Sequence, residues 1–159
     1  MIDRPVGDIL KNKASPSLLS VPTTATVTEA VALMDEKSLG SVLVRDAAGA
    51  IAGIFTERDV MRRVVRQGRD PRTTKMSAVM TPDVRKVPST ESIVEVLRLM
   101  VEHGYRHMLV ADGDKPAGVV SIRDLMHWLI LPDAPIAYEG LRGEVRSRAQ
   151  DTVDTLRKG

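Results

Sequence analysis

Twice in this chain a hydroxyl residue, an arginine and an aspartate follow a short apolar run at the same spacing. The first copy is Gly53-Ile-Phe-Thr-Glu-Arg-Asp-Val-Met; the second, 65 residues later, is Gly118-Val-Val-Ser-Ile-Arg-Asp-Leu-Met. A self-match at a fixed offset points to a repeated structural unit. In each copy the apolar run reads as a strand and the residues after it as a helix. Thr56 and Ser121 fall at the helix start, with Asp59 and Asp124 three residues on. That is the spacing of a capping box, with Asp in place of Glu or Gln. Capping accounts for the hydroxyl and the carboxylate, but it makes no demand for Arg58 and Arg123 just before the acid. The same groups suit a nucleotide. Free N–H groups and the positive dipole end of a helix favour phosphate. A guanidinium adds planar, paired donors for an anion. A carboxylate accepts from the two hydroxyls of a ribose, as in dinucleotide-binding folds.

The elements that must position these corners are legible in the apolar spacing. Residues 1–14 predict a short helix with Val6, Ile9 and Leu10 on one face, and Ser15-Pro16-Ser17 breaks it. Leu18–Val21 is a short strand. Residues 24–38 form a helix on Val27, Ala30, Val31 and Met34, started by Thr26 or Thr28 with Glu29. Strands over 41–45 and 51–55 are joined by a hairpin loop at 46–49. The helix after Thr56 is expected to bury Val60, Met61, Val64 and Val65 and to stop near Gly68. A polar, proline-containing connector, 69–75, leads to a replay. Met76, Val79 and Met80 mirror Val6, Ile9 and Leu10; 84–87 is a strand; 91–103 is a helix on Ile93, Val96, Leu97 and Met100. The helices match at an offset of 66 and the motifs at 65, so the span from helix to motif that holds the second hairpin, 112–116, is one residue shorter. Each unit is β-α-β-β-α and too small to bury much surface alone.

On the two motif copies, in register within matching halves, the chain resembles a tandem pair of cystathionine-β-synthase-type (CBS) domains, a Bateman module. The signature is Gly, two apolar residues, Thr or Ser, two variable residues and Asp opening the last helix. The resemblance covers roughly residues 5–131: a first repeat over 5–68, the connector 69–75, a second repeat over 76–131, and a polar C-terminal helix over 132–159. It implies an α/β (α+β) fold in which the two repeats pack through their sheets about a pseudo-twofold axis, with two ligand clefts between them. The implied ligand is an adenosine nucleotide, AMP first, with ADP, ATP, NAD(H) or S-adenosylmethionine as alternatives. It would be held by Thr56, Arg58 and Asp59 in one cleft and by Ser121, Arg123 and Asp124 in the other. In many family members an Arg or His just before the second strand contacts the phosphate. That places Arg106, and with it His107, in the second cleft. Gly40 occupies the matching position in the first, so the Asp124 cleft is expected to bind more tightly. Ile54, Val119, Val21 and Val84 are the candidate apolar walls for adenine, and Thr81-Pro82 borders a cleft.

The 159 residues are 43% apolar and 28% charged, with one Trp, one Phe and two Tyr. The core must be aliphatic, and the composition argues against an aromatic platform for single-stranded nucleic acid. Net charge is +2, and acidic and basic residues are interspersed rather than gathered into a basic arm. There is no cysteine, hence no disulfide or thiolate chemistry. No apolar run reaches membrane-span length, and the first residues lack a secretion signal's apolar core, so the cytoplasm is the expected location. His103, His107 and His127 lie in separate segments, and no metal is expected. There is no phosphate-binding glycine loop and no nucleophile elbow. The functional expectation is a non-catalytic regulatory module that acts on a trans-acting enzyme or transporter, or as a homodimer. The alternative is a structural or protein-interaction module with unoccupied clefts.

Overall fold

Two hairpins form the centre of the molecule. The computed structural model describes residues 4–13 and 18–130. The chain runs α1 (Gly7–Lys11), β1 (Ser20–Pro22), α2 (Val27–Glu36), β2 (Ser41–Arg45), β3 (Ile51–Thr56), α3 (Glu57–Asp59) and a π-helix (Val60–Val65). It continues α4 (Met76–Val79), β4 (Thr81–Pro82), β5 (Lys86–Val87), α5 (Ile93–His103), β6 (His107–Asp112), β7 (Lys115–Ser121) and α6 (Ile122–Ile130). One sheet has the order β1-β2-β3-β4 and the other β5-β6-β7. In each, a parallel strand flanks an antiparallel hairpin.

The registers carry the duplication residue by residue. Ser41 lies opposite Thr56 as His107 lies opposite Ser121, and Val44 opposite Gly53 as Val110 opposite Gly118. Each ladder then slips by one residue, pairing Arg45 with Ile51 and Ala111 with Pro116. Beyond these matching pairs lie 46–50 in the first hairpin and 112–115 in the second, where Asp112 and Lys115 pair once more; the one-residue difference is that expected from the offsets. The bulge bends the strand ahead of each motif.

Three apolar clusters hold the layers together. Leu43 and Ile54 of the first sheet meet Leu109, Ala111 and Val119 of the second, so the sheets pack face to face. On their outer sides lie the two helical cores, one around Phe55 and Met34, the other around Met100, Leu125 and Trp128. The short leading helices are exchanged. α1 opens the first repeat, yet Val6 and Ile9 are fully buried in the second repeat's core. α4 opens the second repeat, yet Met76 and Val79 fill the first. Backbone contacts fix the exchange: Pro5 bridges to Ser92 and Thr26 to Lys75.

Several expectations change. Met61 and Val65 are 58% and 70% exposed rather than buried. A helix on a sheet buries one stripe, and here that stripe is Asp59 and Val64, with Val60 half-buried. Their counterparts Met126 and Ile130 are equally outward, at 51% and 70%. The strand expected at 84–87 shortens to Lys86–Val87, because Asp83 turns the chain with φ of 50° after β4. The tail expected over 132–159 and the break at Ser15-Pro16-Ser17 lie outside the described residues.

Candidate functional site

Each motif folds as its spacing demands. Thr56 N–H donates to Asp59 Oδ2 at 2.9 Å, and Asp59 N–H donates back to Thr56 Oγ1 at 3.4 Å. Ser121 N–H donates to Asp124 Oδ2 at 2.7 Å, and Asp124 N–H to Ser121 Oγ at 3.2 Å. Both acids are thereby drawn inside, to 8% exposure for Asp59 and none for Asp124. A buried carboxylate needs partners for its remaining lone pairs.

The two copies meet that need differently. Asp59 Oδ1 accepts from Thr81 Oγ1 at 3.4 Å and faces Arg63 Nε at 3.3 Å. Arg63 is free to do this because the helix widens. Arg66 N–H bonds Met61 O and Arg69 N–H bonds Val64 O, both five residues back. In α6 the regular winding sends Trp128 into the core. Arg63 is the matching residue in the first copy, and the wider π-turn buries Val64 instead and leaves Arg63 at the acid. Asp124 has Trp128 at the position that matches Arg63. Lys13, from the segment after α1, donates from Nζ to Asp124 Oδ2 at 2.9 Å and to Val119 O at 2.9 Å. Asp124 Oδ1 is buried and has no hydrogen-bond partner among the described residues.

A cavity of about 260 Å³ opens beside Asp124, between Leu39 and Gly40 of the first repeat and Val119, Ser121 and Arg123 of the second. A second, of about 300 Å³, opens beside Asp59, between Ile54, Thr56 and Arg58 of the first and Gly104 and Tyr105 of the second. Gly40, Glu57, Arg106 and His107 wall both. Arg106 therefore does not distinguish the clefts, and the expected preference for the Asp124 side loses its basis. The Asp59 side carries Arg58, Arg62 and Arg63 besides. Gly40 has a reason to be small: a Cβ there would stand 3.2 Å from His107 Nε2.

Arg58 donates from Nη1 to Gly104 O at 3.1 Å, closing the left-handed end of α5 across the repeat boundary. His107 is half-buried against this wall. Burial is the main reason its imidazole is pushed down to about 4; the cations Lys13, Arg106 and Arg58 push the same way, against Asp124.

Of the four apolar walls expected, Ile54 and Val119 border the Asp59 and Asp124 cavities respectively. Val21 does not. β1 is the strand farthest from the motif in its sheet, and Val21 points into its own repeat's core with Ala25 and Val42. Val84 lines a separate cavity of about 500 Å³ at the hairpin end, with Ile51 and Pro116. Lys13 was missed from the sequence because nothing local links it to a motif 111 residues away. The only available signal was that the linker after Met80 and the segment after Leu10 are parallel positions in the duplication.

Among the described residues no group of three or more His, Asp or Glu side chains is placed to hold a metal ion, and no helix is long and apolar enough to cross a membrane.

The CBS domain model matches this chain twice, over residues 6–66 and 76–131. Its relatives include a 17.7 kDa protein of Acidianus ambivalens, 33% identical over 118 residues, 74% of this chain and 70% of that one. Another is the mitochondrial CBS domain-containing protein CBSX3 of Arabidopsis thaliana, 31% identical over 132 residues, 79% of this chain and 64% of that one. A solved CBS-domain structure from Burkholderia ambifaria superposes with a TM-score of 0.75 at 39% identity, covering 82% of this chain and 96% of that one.

Proposed function

The chain belongs to the CBS-domain family, and on that footing we propose that it is a non-catalytic regulatory module that takes an adenosine nucleotide into the clefts between its two repeats. The observation that carries this is Asp124: a fully buried carboxylate, at a cavity, with one oxygen left without a partner. An unmatched buried acceptor is costly to keep, and a ribose hydroxyl supplies the missing donor. Ser121 then faces the phosphate side, with Arg106 and Arg123 as anion partners. AMP is the first choice, with ADP, ATP, NAD(H) and S-adenosylmethionine as alternatives that present the same adenine and ribose. Both cavities are walled by residues of both repeats, so a bound nucleotide bridges them and biases how they pack, which a partner enzyme or transporter reads. The reading takes the module as cytoplasmic and homodimeric. The outward apolar residues Met61 and Val65, repeated as Met126 and Ile130, supply surface for a second copy.

Those same exposed residues favour the second reading, an interaction module whose clefts stay empty. Thermal unfolding with a panel of adenosine compounds separates the two. A nucleotide at one hundred times its dissociation constant stabilises by about 2.7 kcal/mol. Asp124→Ala and Asp59→Ala should each remove part of that gain. No shift with any adenosine compound would leave only the interaction module standing, and turnover of the nucleotide would make the protein an enzyme.

A further inference from the structure

Lys13 is an unusual neighbour for a diol-binding acid. Its side chain is 11% exposed and its partner's carboxylate 1%. The ammonium sits on two acceptors at once, Asp124 Oδ2 and the Val119 carbonyl, each at 2.9 Å. Both belong to the wall of the Asp124 cavity. In the first sheet the matching strand edge is covered differently: Ile54 pairs with Thr81 of β4, whose hydroxyl reaches Asp59, and the cation beside that acid, Arg63, belongs to the motif's own helix and is 40% exposed. A hydroxyl can turn from acceptor to acceptor as a ligand arrives, and a guanidinium already in contact with water can swing outward, whereas Lys13 is enclosed. An ammonium carries a full charge and holds its carboxylate far more strongly.

A ribose presents two adjacent hydroxyl donors. At Asp124 only Oδ1, itself buried, is uncommitted, since Oδ2 already accepts from Ser121 N–H and from Lys13. We propose that Lys13 is an internal occupant of the Asp124 cleft that determines its ligand: a nucleotide binds there only by expelling the ammonium from Asp124 and Val119, so the Asp59 cleft fills first. This rests on the nucleotide reading given above. The Asp124 cleft then selects nucleosides with both hydroxyls free, because a single donor on Oδ1 does not displace a bound cation. Occupation of that cleft also releases Lys13 and the segment that carries it, whose α1 is anchored in the second repeat's core by Val6 and Ile9.

The test reads Lys13 itself in the wild-type protein. Amine-reactive labelling with mass-spectrometric readout should find Lys13 protected without nucleotide. It should become reactive once AMP is raised beyond saturation of the first cleft. Calorimetric titration should resolve two affinities, and Lys13→Met in an Asp59→Ala background should tighten the remaining site by roughly ten- to hundred-fold, the worth of one charge-assisted contact. 2′-Deoxy-AMP should bind the first cleft without exposing Lys13. Increased protection of Lys13 by AMP, or weaker or unchanged binding in the Lys13→Met variant, would overturn the internal-occupant role and leave the nucleotide reading intact. Absence of any heat or thermal shift with AMP in the wild type would remove both.

Discussion

Burial pushes the His107 imidazole down to about 4, and the neighbouring Lys13, Arg106 and Arg58 reinforce it. In the unfolded chain the ring titrates near its ordinary value of 6.5. Between those two values the unfolded chain holds more protons than the folded one. The contribution of neutral His107 to stability is therefore complete above pH 6.5 and is lost as the pH falls towards 4. Urea unfolding at pH 7 and at pH 5 should show the wild type losing more stability than His107→Asn over that interval. Parallel losses would mean that the ring is not withheld from protons. At neutral pH the ring carries no charge, so its part at the shared wall is that of a hydrogen-bonding group, and Arg106 and Glu57 carry the charges of opposite sign there. A second residue-scale prediction concerns Gly40. Replacement by Ala places a Cβ 3.2 Å from His107 Nε2, so the ring must give way in both cavities at once. Nucleotide affinity should fall in both clefts, with stability changed by about 1 kcal/mol or less; loss confined to one cleft would contradict a common wall.

β4 is two residues long and yet decides how the first acid is held. It pairs with β3 at Gly53 and Ile54, and Thr81 donates to Asp59. Gly53 permits this approach: a Cβ there would lie 2.7 Å from Thr81 O and 2.8 Å from Met80 Sδ. Gly53→Ala should push β4 off the sheet, lower stability in urea by about 1–3 kcal/mol, and weaken the Asp59 cleft more than the Asp124 cleft. Equal weakening of both would show that β4 does not act locally. The motif glycine was visible in the sequence, as were the capping boxes and hairpins, because each depends on residues within a few positions of one another. The winding of the helix after Thr56 was not. Val60, Met61, Val64 and Val65 give the same apolar spacing whether the turn is tight or wide. Only the core position that Trp128 fills in the other copy shows why Arg63 must be carried out of it. The Val21 and Val84 walls failed for a related reason: alternation says that a strand residue is buried, not which of two faces buries it.

Exchange of α1 and α4 makes the two repeats one folding unit. Neither repeat's core is complete without a helix supplied from across the boundary: Val6 and Ile9 for the second, Met76 and Val79 for the first. The sheets share a further apolar layer through Leu43, Ile54, Leu109 and Val119. A molecule built this way should unfold in one step, although its sequence reads as two domains. Its single tryptophan, Trp128, lies in the second repeat's core with Arg4 stacked 5.2 Å from the ring centroid, so fluorescence reports that repeat while far-ultraviolet dichroism reports both. The two signals should fall together on heating. Ile9→Ala removes a fully buried side chain from a helix that lies outside the second repeat in sequence but inside it in space. It should lower stability by about 2–5 kcal/mol and shift both signals equally. Were the repeats independent, the substitution would move the fluorescence transition alone and leave a second, unshifted step in the dichroism. Coupling of this kind is also what a regulatory reading requires, since a ligand wedged between two independently stable halves would have little to transmit.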